Sequence, residues 1–202
     1  MATTKDKETR PPLSYRLATR PDALALADLI SRAFRSEPTG QTWLYESQDK
    51  RVDIASPELT TQFIESGESL MLVGYLPSDP EKKPLSTCFL RRPDSDPASE
   101  PHRSPGAAWL GFLAAEPADH GKGYGLSQLR YAEAYVHDEW GLSRLEMTYV
   151  NSRIELGAWY RRCGYVDTGR RRAFPYGEHG REILAEGLEE VVIGKDLGEG
   201  VK

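Results

Sequence analysis

An apolar segment that runs into a turn with three glycines constrains this chain more than any other feature. Residues 109–115 are typical of a buried strand, and glycines follow at 121, 123 and 125, ahead of a helical pattern. Because glycine has no β-carbon, the amide N–H groups of the turn and the N-terminus of the following helix can approach a phosphate closely. The sequence therefore predicts a site for a phosphorylated cofactor at this turn.

The spacing of the glycines excludes two common phosphate-binding motifs. A dinucleotide fingerprint, G-x-G-x-x-G, would require glycine where Leu126 stands, and a Walker loop would require a hydroxyl residue after Lys122, where Gly123 stands. What remains is His120-x-x-Gly123-x-Gly125. This motif resembles the [Q/R]-x-x-G-x-[G/A] loop of the GNAT superfamily of N-acetyltransferases, which holds the pyrophosphate of acetyl-CoA, with His120 in place of the usual glutamine or arginine.

A second segment carries the same resemblance. Residues 159–165 are similar to the family's Y-x-[KR]-x-G-[FY] signature, with Tyr160 in the tyrosine position and Arg162 in the basic position. The family usually has an asparagine seven residues before this tyrosine, but here Arg153 stands there and Asn151 lies two residues earlier. Two motifs in the family's order are more specific than either motif alone.

Hydrophobic periodicity predicts an α/β (α+β) chain with the element order β-α-α-β-β-β-α-β-α-β-β. This order is that of the GNAT fold. The resemblance therefore implies a mixed central sheet of about seven strands, splayed between the fourth and fifth and flanked by about four helices. A single domain is expected over residues 13–197, between tails at 1–12 and 198–202.

Composition narrows the classes of protein to which the chain can belong. With 28% charged and 39% hydrophobic residues and a net charge of -5, the chain is expected to be globular and not to bind nucleic acid. No apolar run approaches the roughly 20 residues of a membrane span, so no membrane partner is expected. The negative charge favours a cationic amine as substrate. Two cysteines and no metal-ligand spacing predict a reduced, cytoplasmic location and no metal site.

The resemblance implies that acetyl-CoA is held by the fourth strand, the glycine turn and the segment before the fourth helix. Backbone groups of Leu113 and Ala115 would pair with the amides of the pantetheine arm. Asn151 has a second interpretation, as the cap of a helix. The full predicted cofactor set is Leu113, Ala115, His120, Gly121, Lys122, Gly123, Tyr124, Gly125, Leu126, Asn151 and Arg153.

The resemblance also implies a proton donor, Tyr160, which would protonate the sulfur of the departing CoA. An alkyl amine is protonated at neutral pH, so a group must remove a proton before the amine attacks. Glu116, at the end of the fourth strand, and Glu146, on the fifth, are the candidate bases. For each of them, a carboxylate that faces solvent without a catalytic role is an equally compatible interpretation.

Glu37, Trp43 and Tyr45 are the candidate residues of the acceptor site, since an acid beside aromatic rings suits an ammonium-bearing substrate. The resemblance implies acetyl transfer from acetyl-CoA to a small primary amine, and it allows a homodimer. Two alternatives stay open. One is transfer to a peptide N-terminus or a protein lysine, and the other is a non-catalytic acyl-CoA-binding regulatory domain.

Overall fold

Strands and helices follow one another in the order predicted from the sequence. The computed structural model describes residues 12–35, 55–93, 102–174 and 187–198. Within these ranges no helix is long and apolar enough to cross a membrane. The elements are β1 (Ser14–Leu17), α1 (Ala23–Arg35), α2 (Pro57–Glu65), β2 (Ser69–Tyr75), β3 (Ser86–Arg91), β4 (Ala108–Ala115), α3 (Tyr124–Asp138), β5 (Arg144–Val150), α4 (Ile154–Arg162), β6 (Val166–Ala173) and β7 (Glu189–Asp196).

All seven described strands join one mixed sheet, with the spatial order β1-β2-β3-β4-β5-β7-β6. β4 and β5 form its parallel pair, and they are paired only where residues 108–110 face 145–147. Beyond that point β4 stays beside β3 and β5 stays beside β7, so the two parallel strands diverge. We call the gap between residues 111–115 and 148–150 the cleft. The predicted splay between the fourth and fifth strands is confirmed.

Side chains from the two faces of the sheet form two separate cores. On the face covered by α3 and α4, which we call the α3 face, Leu129 and Ala132 pack with Met147 and Tyr160. On the other, the α1 face, residues of α1 and α2 pack against Met71, Val73 and Phe89. Alternation of side chains along each strand divides the apolar residues between these two cores.

A bulge in β4 changes which face its side chains meet. Phe112 has a φ of 49°, which is uncommon for a bulky residue, and the pairing register of β3 with β4 shifts beside it. A β-carbon added to Gly111 would lie 3.4 Å from the Phe89 ring, and Phe112 itself packs in the α1-face core. Two successive residues therefore face α1, which places the Phe112 ring beside the cleft, and Leu113 returns to the α3 face.

Candidate functional site

The glycine turn lies between β4 and α3, at the end of the sheet where the cleft opens. Gly121 and Gly123 have φ values of 83° and 82°, a region in which other residues are strained. A β-carbon added to Gly121 would meet no atom within 4 Å, so the outer side of the turn is open. The backbone of this turn is accessible to a ligand.

The first turn of α3 presents amide groups that have no acceptor. The N–H of Ser127 donates to the carbonyl oxygen of Gly123 at 3.0 Å, as the first hydrogen bond of the helix. The N–H groups of Tyr124, Gly125 and Leu126 therefore have no acceptor among the described residues. The capping residue is Gly123, which has no side chain to bind them. Such a helix N-terminus favours an anion.

His120 and Lys122 differ from Tyr124, Gly125 and Leu126, because their amides are already bonded inside the turn. The N–H of His120 donates to the carbonyl of Pro117, and that of Lys122 to the carbonyl of Asp119, both at 3.1 Å. Both side chains are exposed, and the Lys122 Nζ lies 2.7 Å from the Asp119 carboxylate. These two residues would therefore contact an anion through their side chains.

Leu113 and Ala115 direct backbone groups into the cleft. The N–H of Glu116 donates to the carbonyl of Leu85 at 2.8 Å, which fixes the side of β4 that faces β3. Because N–H directions alternate along a strand, those of Ala115 and Leu113 point away from β3. β5 has already diverged at this level, so these groups are available to a ligand.

Tyr160 lies in α4 and is 6% exposed. Its ring contacts those of Trp159, Tyr165 and Tyr149, with centroids 4.9, 5.9 and 6.3 Å away. Its hydroxyl has no hydrogen-bond partner among the described residues. Burial raises the pKa of Tyr160 above its usual value, and the positive charge of Arg153 opposes this only in part. The phenol therefore stays protonated at neutral pH.

Gly157 allows α4 to lie directly against β5. A β-carbon at this position would stand 2.7 Å from three atoms of the Tyr149 side chain, including its hydroxyl oxygen. Tyr149 belongs to the part of β5 that borders the cleft, and Gly157 precedes Tyr160 by three residues on the same helix. This close contact fixes the position of the Tyr160 ring relative to the cleft.

Substituting Gly157→Ala is expected to lower the free energy of unfolding by about 1–3 kcal/mol, because the new methyl group overpacks the Tyr149 ring. Gly125→Ala is the matched control, since its β-carbon would meet only the Ala115 Cβ at 4.0 Å, an ordinary contact. The control should be neutral or stabilising. Urea denaturation of both variants checks this, and an equal gain in stability from both would contradict the packing described here.

Glu116 lies at the open end of the cleft, on the α1 face, where Arg32 of α1 holds it. The Arg32 guanidinium donates to its carboxylate at 2.8 Å, and the Ala118 N–H donates to the other oxygen at 3.4 Å. The side chain is 21% exposed. A carboxylate in this position can reach a molecule that enters the cleft from the α1 face, but it is already ion-paired.

Glu146 lies at the closed end of the cleft, opposite Trp109 in the register of β4 and β5. It is fully buried and accepts hydrogen bonds from the Ser104 N–H at 2.8 Å, the Ser104 hydroxyl at 2.6 Å and Arg144 Nε at 2.7 Å, with Arg170 at 3.3 Å. Burial raises the pKa of Glu146, but these bonds and charges outweigh it and hold the pKa below its usual value. Its surroundings are unsuited to a base and indicate a structural role.

Asn151 and Arg153 lie between β5 and α4 in different roles. The Asn151 side chain donates to the carbonyl of Gly187 at 3.1 Å and accepts from the N–H of Glu189 at 3.3 Å, so it holds the start of β7. Arg153 is the capping residue of α4, and the interpretation of Asn151 as the cap is therefore wrong. The predicted acceptor residues Glu37, Trp43 and Tyr45 lie outside the described residues.

Sequence reasoning missed two features beside the cleft, the bulge at Phe112 and the contact between Gly157 and Tyr149. The run around Phe112 is apolar throughout, so no break in polarity marks the bulge. An isolated glycine within a helical pattern does often have a packing reason, and Gly157 carried that signal.

Three solved structures with a similar fold are acetyltransferases by name. The spermidine/spermine N-acetyltransferase SpeG from Vibrio cholerae, solved with manganese ions, has a TM-score of 0.58 and 18% identity over 92% of this chain and 93% of its own. A protein assigned as a phosphinothricin N-acetyltransferase has a TM-score of 0.62 and 17% identity over 93% and 99%. One from Desulfovibrio desulfuricans, assigned to the GNAT family of acetyltransferases, has a TM-score of 0.61 and 12% identity over 92% and 99%.

No protein-family model and no curated protein matches the sequence. The structural similarity nevertheless extends over nearly the whole length of this chain and of the solved proteins. The chain therefore has the fold of the GNAT acetyltransferases, as its two motifs predict.

Proposed function

We propose that this protein is an acetyl-CoA-dependent N-acetyltransferase that acts on a primary amine of a small molecule. One observation carries the proposal: unbonded amides at the start of α3 and the buried phenol of Tyr160 flank the same cleft. α3 follows β4 and α4 follows β5, so each of these groups follows one of the two strands that diverge. The names of the proteins with a similar fold support this proposal.

The open turn fits the pyrophosphate of CoA. The amides of residues 124–126 offer three donors at the positive end of a helix dipole, and Gly121 and Gly123 present no side chain in front of them. The N–H group of Ala115 suits an amide carbonyl of the pantetheine arm. The exposed side chains of His120 and Lys122 lie next to the turn, and Lys122 adds positive charge.

Acetyl-CoA supplies the acetyl group as an activated thioester. In the transfer, the amine nitrogen bonds to the acetyl carbon, the carbon–sulfur bond breaks with its electron pair going to sulfur, nitrogen releases one proton and sulfur gains one. Tyr160 donates the proton that sulfur gains and then recovers a proton from water. The N–H of Leu113 faces the cleft and donates to the acetyl oxygen as that atom gains negative charge.

Of the two predicted bases, Glu116 remains in the proposal and Glu146 does not. Glu116 lies at the open end of the cleft, where an amine can enter, whereas Glu146 is enclosed at the opposite end by its own hydrogen bonds. Glu116 would receive the amine proton directly or through a water molecule.

A thiol-release assay with acetyl-CoA tests the proposal. The wild-type protein is incubated with small primary amines, polyamines, amino acids, short peptides with a free N-terminus and a lysine-containing peptide. Release of CoA that depends on a small amine is the expected result. Release with peptides alone would favour the peptide and lysine alternative. Calorimetric binding of acetyl-CoA without release for any acceptor would contradict transfer and favour a regulatory domain.

Gly123→Ala is expected to weaken acetyl-CoA binding, because the left-handed backbone at this capping position is strained for alanine by about 1–2 kcal/mol. Gly106→Ala is a matched control. Gly106 has a similar φ of 74° and no atom within 4 Å of an added β-carbon, but it lies before β4, at the other end of that strand. Both variants should lose similar stability, and calorimetry should show weaker binding for Gly123→Ala alone. Equal affinity in both variants would remove the turn from the cofactor site.

A further inference from the structure

Apolar rings border the cleft on the face opposite α3. From this juxtaposition we propose that the acceptor is a primary amine carried by a short alkyl chain on an aromatic ring, which enters from the α1 face against Phe112. This inference names the substrate class of the site proposed above and rests on that proposed function.

The cofactor and the acceptor would use opposite faces of the sheet. Leu113 and Tyr160 pack on the α3 face, and Ala115 points to it too, because its Cβ would lie 4.0 Å from a β-carbon added to Gly125. The glycine turn and the start of α3 therefore lie on the α3 face. With CoA on that side, the α1 face is the side left for the second substrate to reach the reacting carbon.

Aromatic and aliphatic side chains surround Phe112 on the α1 face. Phe112 lies with its ring centroid 5.6 Å from that of Phe63, 6.3 Å from that of Phe34 and 6.5 Å from that of Phe89. Phe112, Phe63 and Phe34 are half-buried, so part of each ring is accessible to solvent. Across the cleft, Val150 of β5 belongs to the same apolar cluster. A flat apolar group would pack against these rings.

The backbone conformation of Phe112 also supports a role for this ring in binding the acceptor. Its left-handed φ of 49° is strained for a phenylalanine, and such strain is concentrated at functional sites. An unstrained strand would direct Phe112 to the α3 face, because Gly111 already faces α1. The bulge therefore places the Phe112 ring on the α1 face, beside the cleft.

Charged groups around the entrance are paired with each other. Arg32 binds Glu116 at 2.8 Å and also pairs with Asp28, whose side chain is 60% exposed on the same helix. Arg172, whose guanidinium lies over the Trp109 ring, is 3.0 Å from Glu190. A polyamine carries positive charges along its length, and each charge taken from water needs a carboxylate that is not already neutralised by an arginine. Among the described residues this face offers apolar surface next to the cleft, which suits an acceptor with one amine and an apolar remainder.

An apolar entrance also helps to provide the neutral amine. Apolar surroundings disfavour the charged form of an amine and so lower its pKa. Glu116 is ion-paired and Glu146 is enclosed by its own hydrogen bonds. Desolvation of the bound amine would therefore favour loss of its proton, a step that a free carboxylate base would otherwise promote. The ring of the acceptor would hold the amine in this environment.

The test compares kcat/KM for 2-phenylethylamine, methylamine and spermidine, with acetyl-CoA saturating. We expect 2-phenylethylamine to exceed spermidine at least tenfold. Phe112→Ala should lower kcat/KM for 2-phenylethylamine about tenfold or more through KM, because it removes ring contact worth about 1.4 kcal/mol or more, and should change methylamine turnover far less. Phe34→Leu provides a second variant should Phe112→Ala fail to fold. Leu24→Ala, on the exposed side of α1, is the control.

The results that would contradict this inference differ from those that would contradict the proposed function. Preference for spermidine, or equal loss with 2-phenylethylamine and methylamine in both phenylalanine variants, would overturn the aromatic acceptor while leaving acetyl transfer intact. Absence of turnover with every amine, together with absence of acetyl-CoA binding, would overturn both.

Discussion

Replacing Tyr160 with phenylalanine is expected to slow CoA release by a factor of about 10²–10⁴, the usual contribution of a positioned proton donor. The substitution removes the hydroxyl and keeps the ring that packs against Trp159 and Tyr149. The fold and the affinity for acetyl-CoA should therefore be preserved. Steady-state kinetics and calorimetry on the same sample separate the two effects, since kcat should fall while the dissociation constant of acetyl-CoA stays within about twofold.

Tyr165→Phe provides the matched control for that substitution. Tyr165 is buried, and its ring centroid lies 5.9 Å from that of Tyr160, but its pKa is raised by burial and by Glu133, on the side away from the cleft. Removing this second hydroxyl should leave the rate of CoA release unchanged. Equal losses in both variants would mean that the Tyr160 effect comes from packing rather than from proton donation.

Glu146→Ala is expected to destabilise the protein by about 3 kcal/mol, at the low end of the cost of a broken buried ion pair. The variant leaves Arg144 and Arg170 without the carboxylate that they share and leaves the Ser104 N–H without its acceptor. Both arginines are partly exposed, at 25% and 31%, so water can solvate them and limit the loss. Urea denaturation at neutral pH measures the effect.

The same carboxylate makes stability depend on pH in a predictable direction. Because the folded-state pKa of Glu146 lies below the usual 4.5, its contribution is complete above about pH 4.5 and is lost as pH falls through the folded-state value. Glu146→Gln should therefore flatten the stability profile below pH 4.5 and keep wild-type kcat at a temperature where it is folded. A stable Glu146→Gln protein without activity would instead restore Glu146 as a catalytic base. Glu81→Gln, at an exposed position, is the control.

The fold could be predicted largely from the sequence, because the features that specify it are local. The glycine turn, Tyr160 and the order of strands and helices are each readable within one segment, and the splay of the sheet follows from the family resemblance that those segments carry. The glycine turn and Tyr160, which follow the fourth and fifth strands, were therefore recognisable from the sequence.

The surroundings of individual carboxylates could not be predicted in the same way. Glu146 has partners at Ser104 and Arg170, which are 42 and 24 residues away in sequence, and Glu116 pairs with Arg32 at a separation of 84. Contacts over such separations depend on how the sheet brings segments together, which periodicity does not encode. The bulge at Phe112 was missed for a related reason, since it depends on the pairing of β3 with β4 and not on the composition of β4.

Transfer of an isotopically labelled acetyl group would show whether this protein moves the acetyl group of acetyl-CoA to an amine. The wild-type protein is incubated with acetyl-CoA labelled in the acetyl carbons and with a primary amine that supports CoA release, and the products are analysed by mass spectrometry. We expect one labelled acetyl group on the amine nitrogen for each CoA released, and a much slower reaction with Tyr160→Phe. Release of CoA with the label recovered as free acetate, and none on the amine, would contradict this transfer and identify a thioester hydrolase.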